Sequence, residues 1–388
     1  MADVPPTVVR LVPLLDFGGV ESRLKLQGRL SRERGYEMVA CTFDRAGAAA
    51  QELRASGTRV DELGVPARIR SPRASLALFR YLRRVRPQVL HSSIVEANFH
   101  TLLVARAAGV PAIIVEEVGT PTHTWAARLA FRALYRRADR IVCVSKAISR
   151  YVIQTDRAPA ERVRVVYNCA HPRFFPEERV PPRSRPRGEP FRLLAVGRLH
   201  PVKNHLTLLE AMARVRHRHA DVRLDLVGEG PLSSTLRDRV ASLGLGGTVR
   251  LLGYRDDIPA LLARADGYVL PSMSEGCSIS LIEAMATGTP CVGSAVDGIR
   301  EVLGDDVADR WTFSWNDPAG AARTLEALVE LDDEARRGLG LTVQQRAYDV
   351  FSPSAYMDRL DALYAEVTDL RRIRASRRAS FLASPRRS

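Results

Sequence analysis

Short apolar, β-type runs alternate with longer stretches of helical periodicity along this chain, and the alternation occurs twice. VVRLVPLL (8–15) leads through Gly18-Gly19 into a helical stretch from Glu21, and EMVACTF (37–43) follows. VLHSS (89–93), AIIVEE (112–117) and RIVCVS (140–145) each precede a helix, and VRVVYN (163–168) closes the first set. Strands separated by helices pair in parallel, through right-handed crossovers that leave helices on both sheet faces. The pattern then stops: residues 172–190, PRFFPEERVPPRSRPRGEP, hold six prolines and no apolar period, the mark of a linker. It restarts at FRLLAVG (191–197) and continues through VRLDLVG (222–228), VRLLG (249–253), GYVLPS (267–272) and PCVGS (290–294). The expected architecture is therefore α/β, with two tandem Rossmann-like, doubly wound domains (1–171 and 191–350) enclosing a cleft. Residues 351–366, FSPSAYMDRLDALYAE, predict an amphipathic terminal helix, and the basic segment 367–388 is expected to be disordered.

With 388 residues, 46% of them hydrophobic, the chain can bury two cores of ordinary size. No run of about 18 apolar residues predicts a membrane span, and MADVPPTVVRLVPLL lacks the basic start and cleavage site of a signal peptide. The five cysteines, Cys41, Cys143, Cys169, Cys277 and Cys291, form no CxxC pair, which suits a reducing cytoplasm and neither zinc nor disulfides. The net charge is +14, yet only Lys25, Lys146 and Lys203 among the 58 cations are lysine. That bias lowers the meaning of a single arginine and raises that of a lysine. Arg68 to Arg86 contains seven arginines and no acid, and SLALFRYLRRVR within it predicts an amphipathic basic helix. Such a helix can rest on anionic lipid, or can turn its apolar side to the sheet.

In doubly wound sheets, ligands bind outside the carboxyl ends of the strands, and four motifs fall there. Gly18 and Gly19 follow the first strand; an anion-binding turn and an ordinary tight turn both fit them. In VGRLHPVKNH (196–205), Arg198 and Lys203 follow the first strand of the second half, placed to clamp a diphosphate. VGEGP (227–231) ends another strand with two glycines. SEGCSISLIEAMATGTP (274–290) carries Glu275 before a helix and Glu283 within it, with Gly276, Cys277 and Ser278 at the helix start. Free N–H groups and the positive dipole end there favour phosphate. Eight helical positions span up to ~12 Å, about the length of a diphosphate with its two flanking sugars. With a diphosphate over the helix start, this spacing sets Glu275 beside a transferred sugar and Glu283 beside ribose hydroxyls; a capping acid followed by a buried helical acid is the alternative reading. The GxGxxG pattern of nicotinamide binding is absent.

At these residues the sequence resembles GT-B fold glycosyltransferases of family 4, retaining enzymes that use sugar nucleotides. The resemblance runs through GGVE, ADRIVCVSKAI (138–148), VGRLHPVKNH, LVGEGP, LLGYRDDIPALLARAD (251–266) and the E-x7-E element. It implies a nucleotide-diphosphate sugar as donor, bound mainly by the second domain, and a last helix returning to the first. It gives Arg198 and Lys203 to the diphosphate, Glu275 to the donor sugar, Glu283 to the ribose and Gly253, Tyr254 and Arg255 to the base. Gly18 and Gly19 face the phosphate from the other domain. Three departures stand out. Asn168 precedes Cys169 where members often have NG, and the loop commonly written EGFG is EGCS. Glu116 and Glu117 occupy the region where many members place a sugar-contacting histidine, with His91, His100 and His123 nearby.

The expected reaction is transfer of a sugar to an acceptor hydroxyl with retention, in bacterial glycan, glycolipid or glycosylated natural-product synthesis. No D-x-D pair occurs in the chain, so the cations and helix N–H groups, rather than a metal, are expected to meet the leaving charge. No cofactor is expected. The acceptor is a small molecule, a lipid-linked substrate or a glycan; peripheral contact with anionic membrane is open, and no nucleic-acid partner is expected. One of Glu116 and Glu117 is expected to face the sugar or acceptor, since neighbouring strand residues point to opposite sides. Two other classes share parts of the pattern: a nucleotide-sugar epimerase on the same fold, and a non-enzymatic anion binder.

Overall fold

The first seven strands are β1 (Thr7–Val12), β2 (Glu37–Thr42), β3 (Arg59–Glu62), β4 (Val89–Ser93), β5 (Ala112–Glu117), β6 (Arg140–Cys143) and β7 (Val163–Val165). They form one parallel sheet in the order β3-β2-β1-β4-β5-β6-β7. The other six are β8 (Phe191–Val196), β9 (Val222–Val227), β10 (Val249–Gly253), β11 (Gly267–Leu270), β12 (Cys291–Ser294) and β13 (Thr312–Phe313). They form a second parallel sheet in the order β10-β9-β8-β11-β12-β13. This is a computed structural model; it describes residues 5–16, 19–120, 125–176, 178–179, 183–186 and 188–383.

Both sheets are doubly wound, so the expected α/β architecture of two Rossmann-like domains is the observed one. Strand order reverses between β1 and β4 in the first sheet and between β8 and β11 in the second. Two strands are absent from the sequence expectation, β3 and β13. β3, RVDE, is a partly exposed edge strand with three charged residues, and β13 has two residues, so neither shows an apolar run.

The chain divides into two units. One comprises Met1–Tyr167 with Ser354–Ser388, the other Asn168–Pro353, so the proline-rich segment 172–190 groups with the second. There Phe174 is buried and the Arg173 side chain donates to the Asp256 carbonyl at 3.1 Å.

The terminal helix begins at Pro353 and returns to the first unit. Tyr356, Leu360, Leu363, Tyr364 and Val367 repeat at helical spacing and are buried. Tyr364 Oη accepts from Gln27 Nε2 at 2.9 Å, Arg34 pairs with Asp358 and Asp361, and Arg140 and Arg164 both donate to Glu366. The helical backbone continues to Ala383, where the sequence reading expected disorder from 367; residues 384–388 of that segment lie outside the described residues. Charge favours a solvated segment, but residues 354–383 contain neither proline nor glycine and are rich in alanine, arginine and leucine, strong helix formers.

Candidate active site

The second unit gathers its polar side chains at the β8/β11 switch point. Past β8 the chain turns through Gly197 and Arg198 into a short 3-10 turn, Pro201–Lys203. A Cβ on Gly197 would stand 3.7 Å from Cδ and Cε of Lys203, so the lysine stem lies across a bare strand end. Past β11, Ser272 and Glu275 occupy the facing loop. Lys203 Nζ donates to Glu275 Oε1 at 2.6 Å, and Ser272 Oγ donates to the same oxygen at 2.7 Å. The side chains of Lys203 and Glu275 are 18% and 11% exposed, so this pair is partly shielded rather than a fully solvated contact. Glu275 Oε2 has no hydrogen-bond partner among the described residues. Arg198 is exposed and likewise unpaired among them.

Residues outside the sequence expectation hold this geometry. Asn204 takes a left-handed conformation, and its Nδ2 donates to the carbonyls of Pro271 at 3.1 Å and Trp315 at 2.7 Å. The neighbouring His205 has its pKa lowered to about 4, by burial first and then by the charge of Lys203. Asn168 Nδ2 donates to the Cys277 carbonyl at 2.7 Å, which ties the EGCS loop in place. A Cβ at Gly298 would fall 2.1 Å from the Glu275 carbonyl oxygen, so only glycine admits the loop there. VDGIR at 296–300 gives no hint of this, because the contact joins residues more than twenty apart.

The helix after the loop spans Ile279–Ala286 with Ser278 as its N-cap, so Gly276 and Cys277 precede it instead of forming its first turn. The Cys277 side chain is buried, leaving backbone rather than thiol to meet a ligand. Tyr268 Oη donates to Ser280 Oγ at 2.8 Å and fixes the helix start on β11. Glu283 lies one turn along, half-buried. No hydrogen bond or ion pair engages its carboxylate among the described residues, and burial pushes its pKa up to about 7 against the opposing charge of Arg173. A carboxylate so placed lacks the donors that a buried acid normally finds within its own chain.

The strand-end loops of β8, β9 and β10 are stitched by backbone bonds. Leu199 N donates to Glu229 O at 2.8 Å, Gly228 N to Gly253 O at 2.8 Å and Leu232 N to Leu199 O at 3.0 Å. Gly228 at φ +138° passes so near Gly197 that a Cβ would lie 1.9 Å from its carbonyl oxygen. An open depression follows, lined by Leu199, Glu229, Ser233, Arg237, Leu251 and Gly253. Of the three residues expected at the base, Gly253 lines it. Tyr254 is 70% exposed, and Arg255 forms a two-point ion pair with Asp257 at 2.8 and 2.6 Å.

In the first unit, Gly18 lies outside the described residues, and Gly19 opens the helix Gly19–Leu30. The expectations for Glu116, Glu117 and His91 are corrected. Glu116 and Glu117 do point to opposite sheet faces, but both are only 1–2% exposed. Glu116 is bound by Arg23, by Arg10 at 3.3 Å and by Ser93, and the two guanidinium charges hold its pKa below the usual range despite burial. Glu117 accepts from Asn98 Nδ2 and Tyr135 Oη, each at 2.9 Å, and burial raises its pKa to about 7. His91 is fully buried; its Nδ1 lies 2.8 Å from Arg10 Nη1 and 3.1 Å from Tyr364 Oη. Burial and then the Arg10 charge hold it neutral, as the anchor of a packed network under the terminal helix. For Glu116 the excess of arginine explains the outcome: this strand-end acid meets two guanidinium groups before it meets solvent. His100 is also packed, against Ser75 and the Arg68 carbonyl, and His123 lies outside the described residues. At the β1/β4 switch point Ile94 holds φ +77°, a costly conformation for a β-branched residue that clusters at functional sites.

Two parallel Rossmann-like sheets, with a cation–carboxylate pair at the switch point of the second, define the GT-B class. The family described as Glycosyltransferase Family 4 matches residues 17–174, and Glycosyl transferases group 1 matches residues 176–342. The chain belongs to the GT-B glycosyltransferases of this family 4 group. It is 30% identical over 177 residues to N-acetyl-alpha-D-glucosaminyl L-malate synthase of Bacillus anthracis, 45% of each chain. It is 24% identical over 318 residues to the UDP-Gal:alpha-D-GlcNAc-diphosphoundecaprenol alpha-1,3-galactosyltransferase of Escherichia coli, 77% of this chain and 80% of that protein. The crystal structure of Anabaena HepE in complex with UDP superposes with TM-score 0.77 at 19% identity, covering 93% of this chain and all of that one. The matched part spans about half the length of the first curated relatives.

Proposed function

We propose that this chain transfers a sugar from a nucleoside-diphosphate sugar to an acceptor hydroxyl, with retention of the anomeric configuration. The observation that carries the reading is the Lys203–Glu275 pair across the β8/β11 switch point, with Glu283, unpartnered among the described residues, along the following helix. Lys203 and Arg198 meet the diphosphate, and the N–H groups at the start of Ile279–Ala286 add to the positive field. Glu275 Oε2 accepts from a sugar hydroxyl and Glu283 from the ribose. The bond from the anomeric carbon to the phosphate oxygen breaks as that carbon bonds the acceptor oxygen on the same face. The acceptor proton passes to the departing phosphate oxygen, and the fixed cations stabilise the charge that develops there. The UDP in the HepE structure and the lipid diphosphate in the name of the Escherichia coli relative support a nucleotide donor and make a lipid-linked acceptor a reasonable first choice.

A panel of nucleoside-diphosphate sugars, screened by thermal stabilisation, identifies the donor. With that donor, Lys203→Ala and Arg198→Ala each lower kcat/KM by about a hundredfold, or ~3 kcal/mol, without unfolding the chain. Near-normal turnover and donor affinity in either variant would show the clamp to be misassigned. Donor isomerised without an acceptor would make the protein an epimerase instead.

A further inference from the structure

In the first unit, Leu76, Leu103, Trp125 and Leu129 are 47%, 43%, 76% and 56% exposed. All four stand on three helices, Pro72–Val85, Val95–Val104 and Trp125–Leu134, of which the middle one packs against both others. The three cover one face of the sheet, the face opposite the Arg10–Glu116 network. Leu78 and Leu82 of the first helix pack on Val9, Leu11, Leu90 and Ile113. Asn98 of the second, and Tyr135 just after the third, reach Glu117.

These helices carry six arginines, Arg73, Arg80, Arg83, Arg84, Arg128 and Arg132, all exposed, and one acid, half-buried Glu96. No ion pair among the described residues engages Arg73, Arg80, Arg83, Arg84 or Arg132. At the foot of the third helix Arg136, Arg137 and Arg162 surround Leu103 around a shallow depression, with Arg106 paired to Asp139 at 2.9 Å beside them. Helix Pro72–Val85 does not present its main apolar stripe, because Ala74, Leu78, Tyr81 and Leu82 are buried in the core. The exposed apolar groups are a second set, on the outward sides of all three helices.

We propose that this three-helix face is a docking surface for an anionic lipid bilayer. Phosphate headgroups complement the unpaired guanidinium groups, and the interfacial zone accepts the indole and the leucines. Nucleic acid would satisfy the arginines but offers nothing for three exposed leucines spread over three helices. The inference does not depend on the donor chemistry.

The test is flotation of the full chain with phosphatidylcholine vesicles, with and without phosphatidylglycerol, at low salt. Binding is expected only with phosphatidylglycerol and weakens as salt rises. Trp125→Ser combined with Leu129→Ser lowers the vesicle partition coefficient at least tenfold. Arg80→Gln with Arg132→Gln lowers it roughly 25-fold, at about fivefold per charge near an anionic surface. Trp125 supplies a second readout: emission shifts to the blue on anionic vesicles, and the shift is lost in Trp125→Phe. These positions are exposed, so melting temperature and donor-induced stabilisation remain those of the wild type. Lys203→Ala binds vesicles normally, which separates this face from the donor site. No binding to phosphatidylglycerol vesicles, unchanged binding by the Trp125/Leu129 variant, or displacement of vesicles by short duplex DNA would each overturn the proposal.

Discussion

Gly298→Ala adds one methyl group where the Glu275–Gly276 backbone already sits. The new carbon would lie 2.1 Å from the Glu275 carbonyl oxygen and 2.7 Å from both the Glu275 carbonyl carbon and the Gly276 oxygen. Helix Asp297–Leu303 cannot yield easily, since Ile299, Val302 and Leu303 are buried and Ile299 packs against the tight strand position at Gly293. The loop must therefore retreat, by roughly 1.3 Å to reach ordinary contact at about 3.4 Å. That motion carries Glu275 away from Lys203 and Ser272 and strains the Asn168 bond to Cys277. A misplacement of about 1 Å costs on the order of a hundredfold in rate, so kcat/KM with the identified donor is expected to fall about that far. Alanine in place of a helical glycine gains up to about 1 kcal/mol of propensity, so any drop in melting temperature measures the clash itself. Wild-type kcat/KM together with a wild-type melting temperature would refute the reasoning, because the loop would then move without consequence.

Glu116→Gln keeps the side-chain shape but leaves Arg10 and Arg23 without their buried counter-charge, a loss of about 3–5 kcal/mol. Calorimetry should show a drop of roughly 10 °C at ~2–4 °C per kcal/mol, whereas Glu117→Gln, which keeps acceptors for Asn98 and Tyr135, changes little; equal and small effects would contradict the network. Glu283 titrates near 7 when folded against an ordinary 4.5, so the stability it brings is full below about pH 4.5 and lost as pH rises through 7. Glu283→Gln removes that slope, gaining up to ~3 kcal/mol on the wild type between those limits; parallel melting curves across this range would rule it out. Transfer activity is expected to survive excess EDTA, given the missing D-x-D pair, and complete loss restored by magnesium or manganese would overturn the cation-clamp account.

Strand and helix positions, the doubly wound class and the loops bearing Arg198, Lys203 and Glu275 are legible in the sequence because each rests on local pattern. An apolar run framed by helices makes a buried parallel strand, and residues just past such a strand stand at the ligand-binding edge. Edge strands β3 and β13 escape this logic, since an edge needs no continuous apolar run. Partnership is not local. Glu116 looks like a free strand-end acid until β1 and the helix Gly19–Leu30 bring Arg10 and Arg23 onto it across 106 and 93 residues of chain. Gly298 looks like an ordinary helical glycine until the Glu275 carbonyl arrives over it. Helix Pro72–Val85 announces an amphipathic basic surface, yet its apolar stripe is used by the core, and the exposed apolar groups come from three helices together. Composition and periodicity set which residues want burial or a counter-charge; which neighbour meets that demand depends on packing between distant segments, and only the tertiary structure decides it.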